Sequence, residues 1–335
     1  LAEGGHTVLV AGRAHGMLLR QDYNAPDIIK VPAPFLGEWD FLTAWKLACI
    51  VRRYKVDIIH AHTGHAHLHA CLANLLAGQG KVVVTRRVDF RPADNAVTRW
   101  KYARAHRIVA VSHYVAQVLR DYGVEPAKLA VIHSAQDPAR FEVEPIARRE
   151  LAVPEGAPLL VCVAALVEHK DHGTLLDAMP LVLRHRPEVH LLLVGNGPLR
   201  PHIERQIKRL KLESHVHLLG HRDDVPRILR AADLFVLPSK MEGLGGACLE
   251  AMLAYLPVVA CAAGGVPEFV RHLETGLLVP PGDSAGLAQA ILRVLGDGHL
   301  ASKLVENGRK LVLTDATVTP MLQQYLLLYE ETLAT

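Results

Sequence analysis

Short apolar runs alternate with helix-patterned stretches along this chain, and they do so in two series. The first reads as strands at residues 7–11, 56–61, 81–85, 107–112 and 129–133. The second reads as strands at 159–165, 189–195, 216–220, 233–238 and 258–262. Helical patterns such as 45–54 and 114–121 separate the runs. Strands this apolar have no face for water, so they belong in parallel sheets covered by helices on both sides. A Pro- and charge-rich segment, 137–158, divides the two series. The expectation is an α/β chain of two Rossmann-like, doubly wound units. Ligands of such sheets bind beyond the carboxyl ends of the strands, here in a cleft between the units.

The bulk properties agree with this and exclude some functions. At 335 residues the chain exceeds one ordinary core. With 50% hydrophobic and 21% charged residues it reads as globular rather than disordered. The longest apolar runs fall short of the roughly eighteen residues that span a bilayer, and a cytoplasmic, soluble protein is expected. Five cysteines without a CxxC pair read as buried thiols of a reducing compartment. A net charge of +3 gives nucleic-acid binding no support. The charge is uneven, however: eight Lys/Arg stand against two Asp between Lys81 and Ile108. That stretch could face an anionic acceptor or an anionic membrane surface, or it could be a solvated helix face.

The chemistry concentrates in Met241 to Ala260, MEGLGGACLEAMLAYLPVVA. Glu242 lies in a glycine-rich loop, Glu250 in the first turns of a helix, and 257–260 reads as a buried strand. Free amides at a helix start suit an anion, and Gly243, Leu244, Gly245 and Gly246 supply them. Carboxylates beside a phosphate repel it, so Glu242 and Glu250 are better placed to accept hydrogen bonds from neutral hydroxyls. A ligand with phosphate and polyol parts, such as a nucleotide sugar, meets both demands. Gly195-Asn196-Gly197-Pro198 mimics a dinucleotide fingerprint but has Arg200 where the third glycine is required, so it reads as a tight turn.

Glu-x7-Glu, followed by Ala263-Gly264-Gly265-Val266-Pro267-Glu268 and by Thr275-Gly276-Leu277-Leu278-Val279-Pro280-Pro281-Gly282-Asp283, resembles the donor-site signature of retaining GT-B glycosyltransferases, family 4. The resemblance implies a GT-B fold. It places an acceptor-side domain at 1–140, a donor domain at 141–312, and a helix within 313–335 that packs back on the first domain. Gly5-His6-Thr7-Val8 matches the end of the family's first helix, which leaves the N-terminal sheet with an expected gap in its middle. The implied donor is a nucleotide-diphosphate sugar, with no cofactor and no metal. Lys170 and Glu242 are the implied catalytic residues, with Lys170 on the departing diphosphate. The usual companion arginine is replaced by Ala165, so Arg86 or Arg87 is expected to assist. Glu250 would bind the ribose, Glu242 the donor sugar, and Gly195, Arg222 and Val225 would line the nucleotide site, with His221 a further candidate. His62, Arg87, Ser112 and His113 are the acceptor-side candidates, although Ser112 also reads as a helix cap. The acceptor implied is a glycan or a lipid-linked sugar of bacterial envelope polysaccharide or lipopolysaccharide synthesis.

Two other classes stay open. A non-catalytic nucleotide-sugar-binding protein would keep the Glu pair and lack turnover, and Ala165 favours it. A metallohydrolase is suggested by His60, His62 and His65, whose spacing approaches HxHxDH with Gly64 in place of the Asp.

Overall fold

The structure, a computed structural model, describes residues 1–23, 28–37 and 39–334. In the N-terminal half, β1 (Val8–Gly12) and β2 (Ile28–Pro32) pair in parallel, with the short helix α1 (Met17–Arg20) between them. Four further strands form a separate parallel sheet in sequence order: β3 (Ile58–Ala61), β4 (Lys81–Arg86), β5 (Arg107–Ala110) and β6 (Leu129–Val131). Among the described residues these two sheets share no ladder. Helices α2 (Phe41–Tyr54), α3 (Gly64–Ala77), α4 (Ala96–Arg104) and α5 (His113–Tyr122) connect or follow these strands. Capping explains their starts. Asp40, Thr63, Asn95 and Ser112 each accept a hydrogen bond from the amide three residues on. Asp40 is also why α2 begins four residues before the stretch its periodicity suggested.

The C-terminal half is one six-stranded sheet. Its elements are β7 (Leu159–Val163), α6 (His172–His185), β8 (His190–Val194), α7 (Arg200–Arg209), β9 (Val216–Gly220), α8 (Val225–Ala231) and β10 (Leu234–Leu237). They continue with α9 (Gly246–Leu253), β11 (Val258–Cys261), β12 (Leu277–Val279), α10 (Ser284–Gly296) and α11 (Gly298–Asp315). The strand order is β12-β11-β10-β7-β8-β9, all parallel. The winding reverses between β7 and β10, so the loops leaving those two strands open a crevice at the switch point. Strands β8, β10 and β11 are buried throughout, which is why they read as unbroken Val/Leu runs. Strands β2 and β12 escaped the sequence reading because each is short and lacks alternation.

Helix α12 (Val318–Ala334) lies on the N-terminal sheet. Leu328 joins Val83, Val109 and Ile132 in one apolar cluster, and the Tyr325 and Tyr329 hydroxyls bond Thr85 and His60. The segment 137–158 is not a free linker. Phe141 and Leu151 are fully buried, Ile146 donates its amide to Arg227 O, and Arg148 grips the Asp233 carboxylate through both oxygens. It is therefore fastened to the C-terminal half. The two chain crossings meet just before it, where Gln136 N bonds Ala316 O at 2.8 Å and Gln136 bridges to Thr317. Four cysteines are buried, but Cys49 is exposed, contrary to the expectation of buried thiols. No helix among the described residues is long and apolar enough to cross a membrane.

Candidate donor site at the switch point

Lys170 and Glu242 come from the two loops that flank the switch point, and they meet there. Lys170 Nζ lies 2.5 Å from Glu242 Oε1, and Ser239 Oγ donates to the same oxygen at 2.8 Å. Both loops are pinned behind this pair. Lys240 N donates to His169 O, and Lys240 Nζ pairs with Asp171 at 3.0 Å. Glu242 is buried, so its charge needs the lysine beside it. One ammonium proton answers the carboxylate, which leaves the other two for an incoming anion.

Helix α9 begins directly after Glu242. Its N-cap is Gly245, in the left-handed region with φ of 81°, so no side chain shields the helix start. The amides of Gly243, Leu244, Gly245 and Gly246 make no hydrogen bond among the described residues, while the Leu244 side chain anchors the loop in the core. Gly243 is where the halves touch: a Cβ there would stand 2.2 Å from Arg87 O. Glycine is needed at that spot for contact rather than for flexibility. Glu250, on the second turn of α9, is largely buried with Arg140 3.8 Å away. Burial pushes its carboxyl above the usual range, partly offset by that guanidinium.

Gly195 follows β8 at φ of 145°, and a Cβ on it would meet Ala164 O at 2.1 Å. It therefore supports the Lys170 loop from below. Arg222 forms a two-pronged pair with Asp224 at 2.8 and 2.7 Å, which positions it at the start of α8, where Val225 is the first residue. Ala165 is exposed and brings no cation. Of the two arginines expected to help, Arg86 is turned to Tyr102 and Phe90 O, and Arg87 bonds Ser134 with its carbonyl against Gly243.

On the opposite wall, Ser112 caps α5 and donates to Gly243 O at 2.6 Å, so it both caps and bridges the halves. Glu268 reaches across from the other direction. Its carboxylate accepts from the amides of His113 and Tyr114, at 3.1 Å each, and lies 2.8 Å from His133 Nε2. Burial raises this carboxyl, but the hydrogen bonds from His133 and the two amides outweigh it and hold the group below the usual range. Sequence reasoning quoted Glu268 within a pattern and gave it no role, and it missed His133 and Arg140 altogether. Separations of 135 and 155 residues leave no local signal for such contacts.

The histidine run does not converge on a metal. His60 uses both ring nitrogens, on Tyr329 and Thr85, and its ring centroid lies 4.1 Å from that of the exposed His62, the two planes tilted by 34°. Burial, then the nearby His62 and Arg87, push His60 down to about 3. His65 starts α3 on the outside, while His67 and His69 bond backbone carbonyls. Among the described residues, the group able to offer three ligating atoms within 4.8 Å is His113, His133 and Glu268, and its carboxylate already accepts three hydrogen bonds. The basic stretch 81–108 also fails to form one face: Lys101 is buried, Arg104 bonds Asn74, and Arg107 bonds Ala127 O.

Comparison with known proteins gives a consistent result. The family profile described as "Glycosyl transferases group 1" matches residues 143–311, and "Glycosyltransferase Family 4" matches residues 1–140. A GDP-mannose-dependent monoacylated alpha-(1-6)-phosphatidylinositol monomannoside mannosyltransferase of Corynebacterium glutamicum is 34% identical over 86% of this chain and 78% of its own. N-acetyl-alpha-D-glucosaminyl L-malate synthase of Bacillus anthracis is 27% identical over 88% and 80%. Among solved structures, HepE of Anabaena in complex with UDP superposes with a TM-score of 0.83 at 26% identity, covering 96% of this chain and 92% of that one.

Proposed function

The chain belongs to the group 1 glycosyltransferases, and from that premise we propose that it moves a sugar, with retention, from a nucleotide-diphosphate sugar to a glycan or lipid-linked acceptor. The envelope polysaccharide or lipopolysaccharide pathway is the proposed setting, in a cytoplasmic enzyme that contacts an anionic membrane surface. Relatives described as a lipopolysaccharide core glycosyltransferase and as the lipid mannosyltransferase above support the acceptor class. The single observation that carries the donor reading is the Lys170–Glu242 pair beside the open amides of 243–246, with Glu250 one turn further on.

In this reading the Glu250 carboxylate accepts the ribose hydroxyls, Glu242 accepts a hydroxyl of the donor sugar, and Arg222 and Val225 border the base. The diphosphate lies against the amides and Lys170. As the C1–O bond to phosphate breaks, charge grows on the leaving oxygen, where Lys170 and the helix start stabilise it most. The acceptor hydroxyl forms the new bond on the same face, and its proton passes to the departing phosphate oxygen. No protein nucleophile and no metal is assigned a step. His62, Arg87, Ser112 and His113 border the acceptor approach. Closure across Ser112–Gly243 and Glu268–α5 excludes water from the oxocarbenium-like sugar. The hinge we propose lies at Gln136 and Thr317, supported by their bridge just ahead of the fastened 137–158 segment.

The test is thermal stabilisation by a panel of UDP-, GDP- and ADP-sugars. One nucleotide series is expected to raise Tm for the wild type and not for Glu250→Ala; no stabilisation by any series would sink the donor reading. A non-catalytic nucleotide-sugar-binding protein is the second reading, supported by the missing cation at Ala165, and it corresponds to stabilisation without release of nucleotide diphosphate.

A further inference from the structure

Glu268 does more than touch α5: it completes a set of three ligating side chains drawn from both halves. His113 is the first residue of α5 and His133 follows β6, whereas Glu268 lies between β11 and β12. One nitrogen of each imidazole and one oxygen of the carboxylate lie within 4.8 Å of one another. The tightest edge runs from His133 Nε2 to Glu268 Oε2, at 2.8 Å. The two imidazole centroids stand 5.9 Å apart at an angle of 69°, and Phe269 meets the His133 ring edge-on at 5.0 Å. His133 and Glu268 are partly buried, with side-chain exposures of 25% and 18%, while His113 is open to solvent. An ion therefore has a way in past His113, and the other two ligands are already held by their neighbours.

We propose that His113, His133 and Glu268 form a Zn²⁺ site that staples the two halves together. Two imidazoles and one carboxylate suit a borderline ion such as Zn²⁺, whereas Mg²⁺ and Ca²⁺ call for oxygen ligands. Ligand atoms on a tetrahedral zinc stand roughly 3.3 Å apart, and a turn of the exposed His113 ring can close the difference. The hydrogen bonds on Glu268 fit this arrangement. His133 exchanges its bond to the carboxylate for one to the metal, and the amides of His113 and Tyr114 keep the carboxylate oriented. The ion adds no step to the transfer chemistry, and its effect rests on the closure proposed above. When the halves part, zinc keeps two histidines and loses Glu268, so it favours the closed arrangement by the affinity that Glu268 supplies. Release of products needs opening, so zinc acts as a reversible inhibitor, and a nucleotide that closes the halves binds zinc-loaded protein more tightly.

The test uses the full chain without a polyhistidine tag, stripped with a chelator and titrated with ZnCl₂ by calorimetry. One zinc per chain and a higher Tm are expected, and Co²⁺ in its place should give the visible absorption of a four- or five-coordinate ion. His113→Ala and Glu268→Gln, one from each half, should each weaken zinc binding by at least roughly tenfold, since losing even an outer partner of a ligand costs that much. His113 is exposed, so its variant should melt with the wild type when zinc is absent. His217→Asn is the control, because His190 Nδ1 and His217 Nε2 form another close imidazole pair at 3.0 Å, and it should leave zinc binding unchanged. No binding isotherm would overturn the proposal. So would zinc binding that Glu268→Gln leaves unchanged, which puts the ion on one half alone, or binding lost in His217→Asn. With UDP, GDP and ADP in turn, the nucleotide that raises Tm should tighten zinc by the same factor by which zinc tightens it, and the absence of any such coupling would overturn the staple. If none of the three raises Tm while zinc binds as expected, the donor assignment fails and the metal site stands.

Discussion

The two halves of this chain are wound on the same plan and finished very differently. The C-terminal half closes six parallel strands into one sheet, and its site sits at a single switch point with both loops pinned from behind. The N-terminal half has two sheets, a first strand that is half-buried along its whole length, and an outer helix that shows aromatic residues to solvent. A nucleotide diphosphate is a fixed ligand that demands amides, a cation and hydroxyl acceptors at set positions. The comparison teaches that the pinned, closed geometry is concentrated in one half, and variants of Lys170 and Glu250 test, under the proposed function, whether the chemistry is held there too.

The largest effect expected follows from Lys170. Lys170→Ala should lower kcat by roughly 10²–10³-fold with little change in donor KM, because its contact strengthens as the leaving oxygen gains charge; steady-state kinetics decide. Glu250→Ala should raise donor KM by roughly tenfold to a hundredfold and spare kcat, since ribose contacts serve ground state and transition state alike. A kcat effect of equal size would blur the division between binding and chemistry.

Glu268→Ala tests the contact between the halves. It strips two amides and His133 of their acceptor, so denaturant unfolding should report a loss of roughly 1–3 kcal/mol. Glu268 is held below the usual carboxylate range, so its contribution is present above the unfolded value and is lost as pH falls through the folded one.

Buried histidines sharpen the comparison further. Burial first, then neighbouring charges, push His60 to about 3 and His67 to about 4 in the N-terminal half, and His172 to about 4 in the C-terminal half. Their folded values lie below the unfolded value of 6.5, so the unfolded chain takes up protons first. Stability should fall as pH drops from 6.5 towards 4, by roughly 1 kcal/mol per pH unit for each. Thermal melts across that window should show His67→Asn with the shallower slope. The smallest effect belongs to Arg222→Ala. The Arg222–Asp224 pair is partly exposed and lies on the rim, so melting should shift by a degree or two at most, and donor KM by about twofold.

Most of the donor half was legible because its signals are local. Glu242, the glycines and Glu250 fall within nine residues, and the buried strands read as apolar runs between turn residues. The resemblance gave Lys170 its role, but its partner could not be seen, since Glu242 lies 72 residues away and the pair is made by strand order alone. Glu268, His133 and Arg140 stayed hidden for the same reason. The basic stretch left two readings open because composition cannot say where side chains point; in the structure Arg86, Arg104 and Arg107 turn to carbonyls and an amide.

The central claim is that the Lys170–Glu242 pair and Glu250 serve one transfer reaction at the switch point. Its most direct test is the release of nucleotide diphosphate and the anomeric form of the product, followed by NMR with the donor series that stabilises the wild type. The account predicts turnover with retained configuration, with kcat lowered roughly 10²–10³-fold by Lys170→Ala. Turnover that Lys170→Ala leaves unchanged, or a product of inverted configuration, would contradict it.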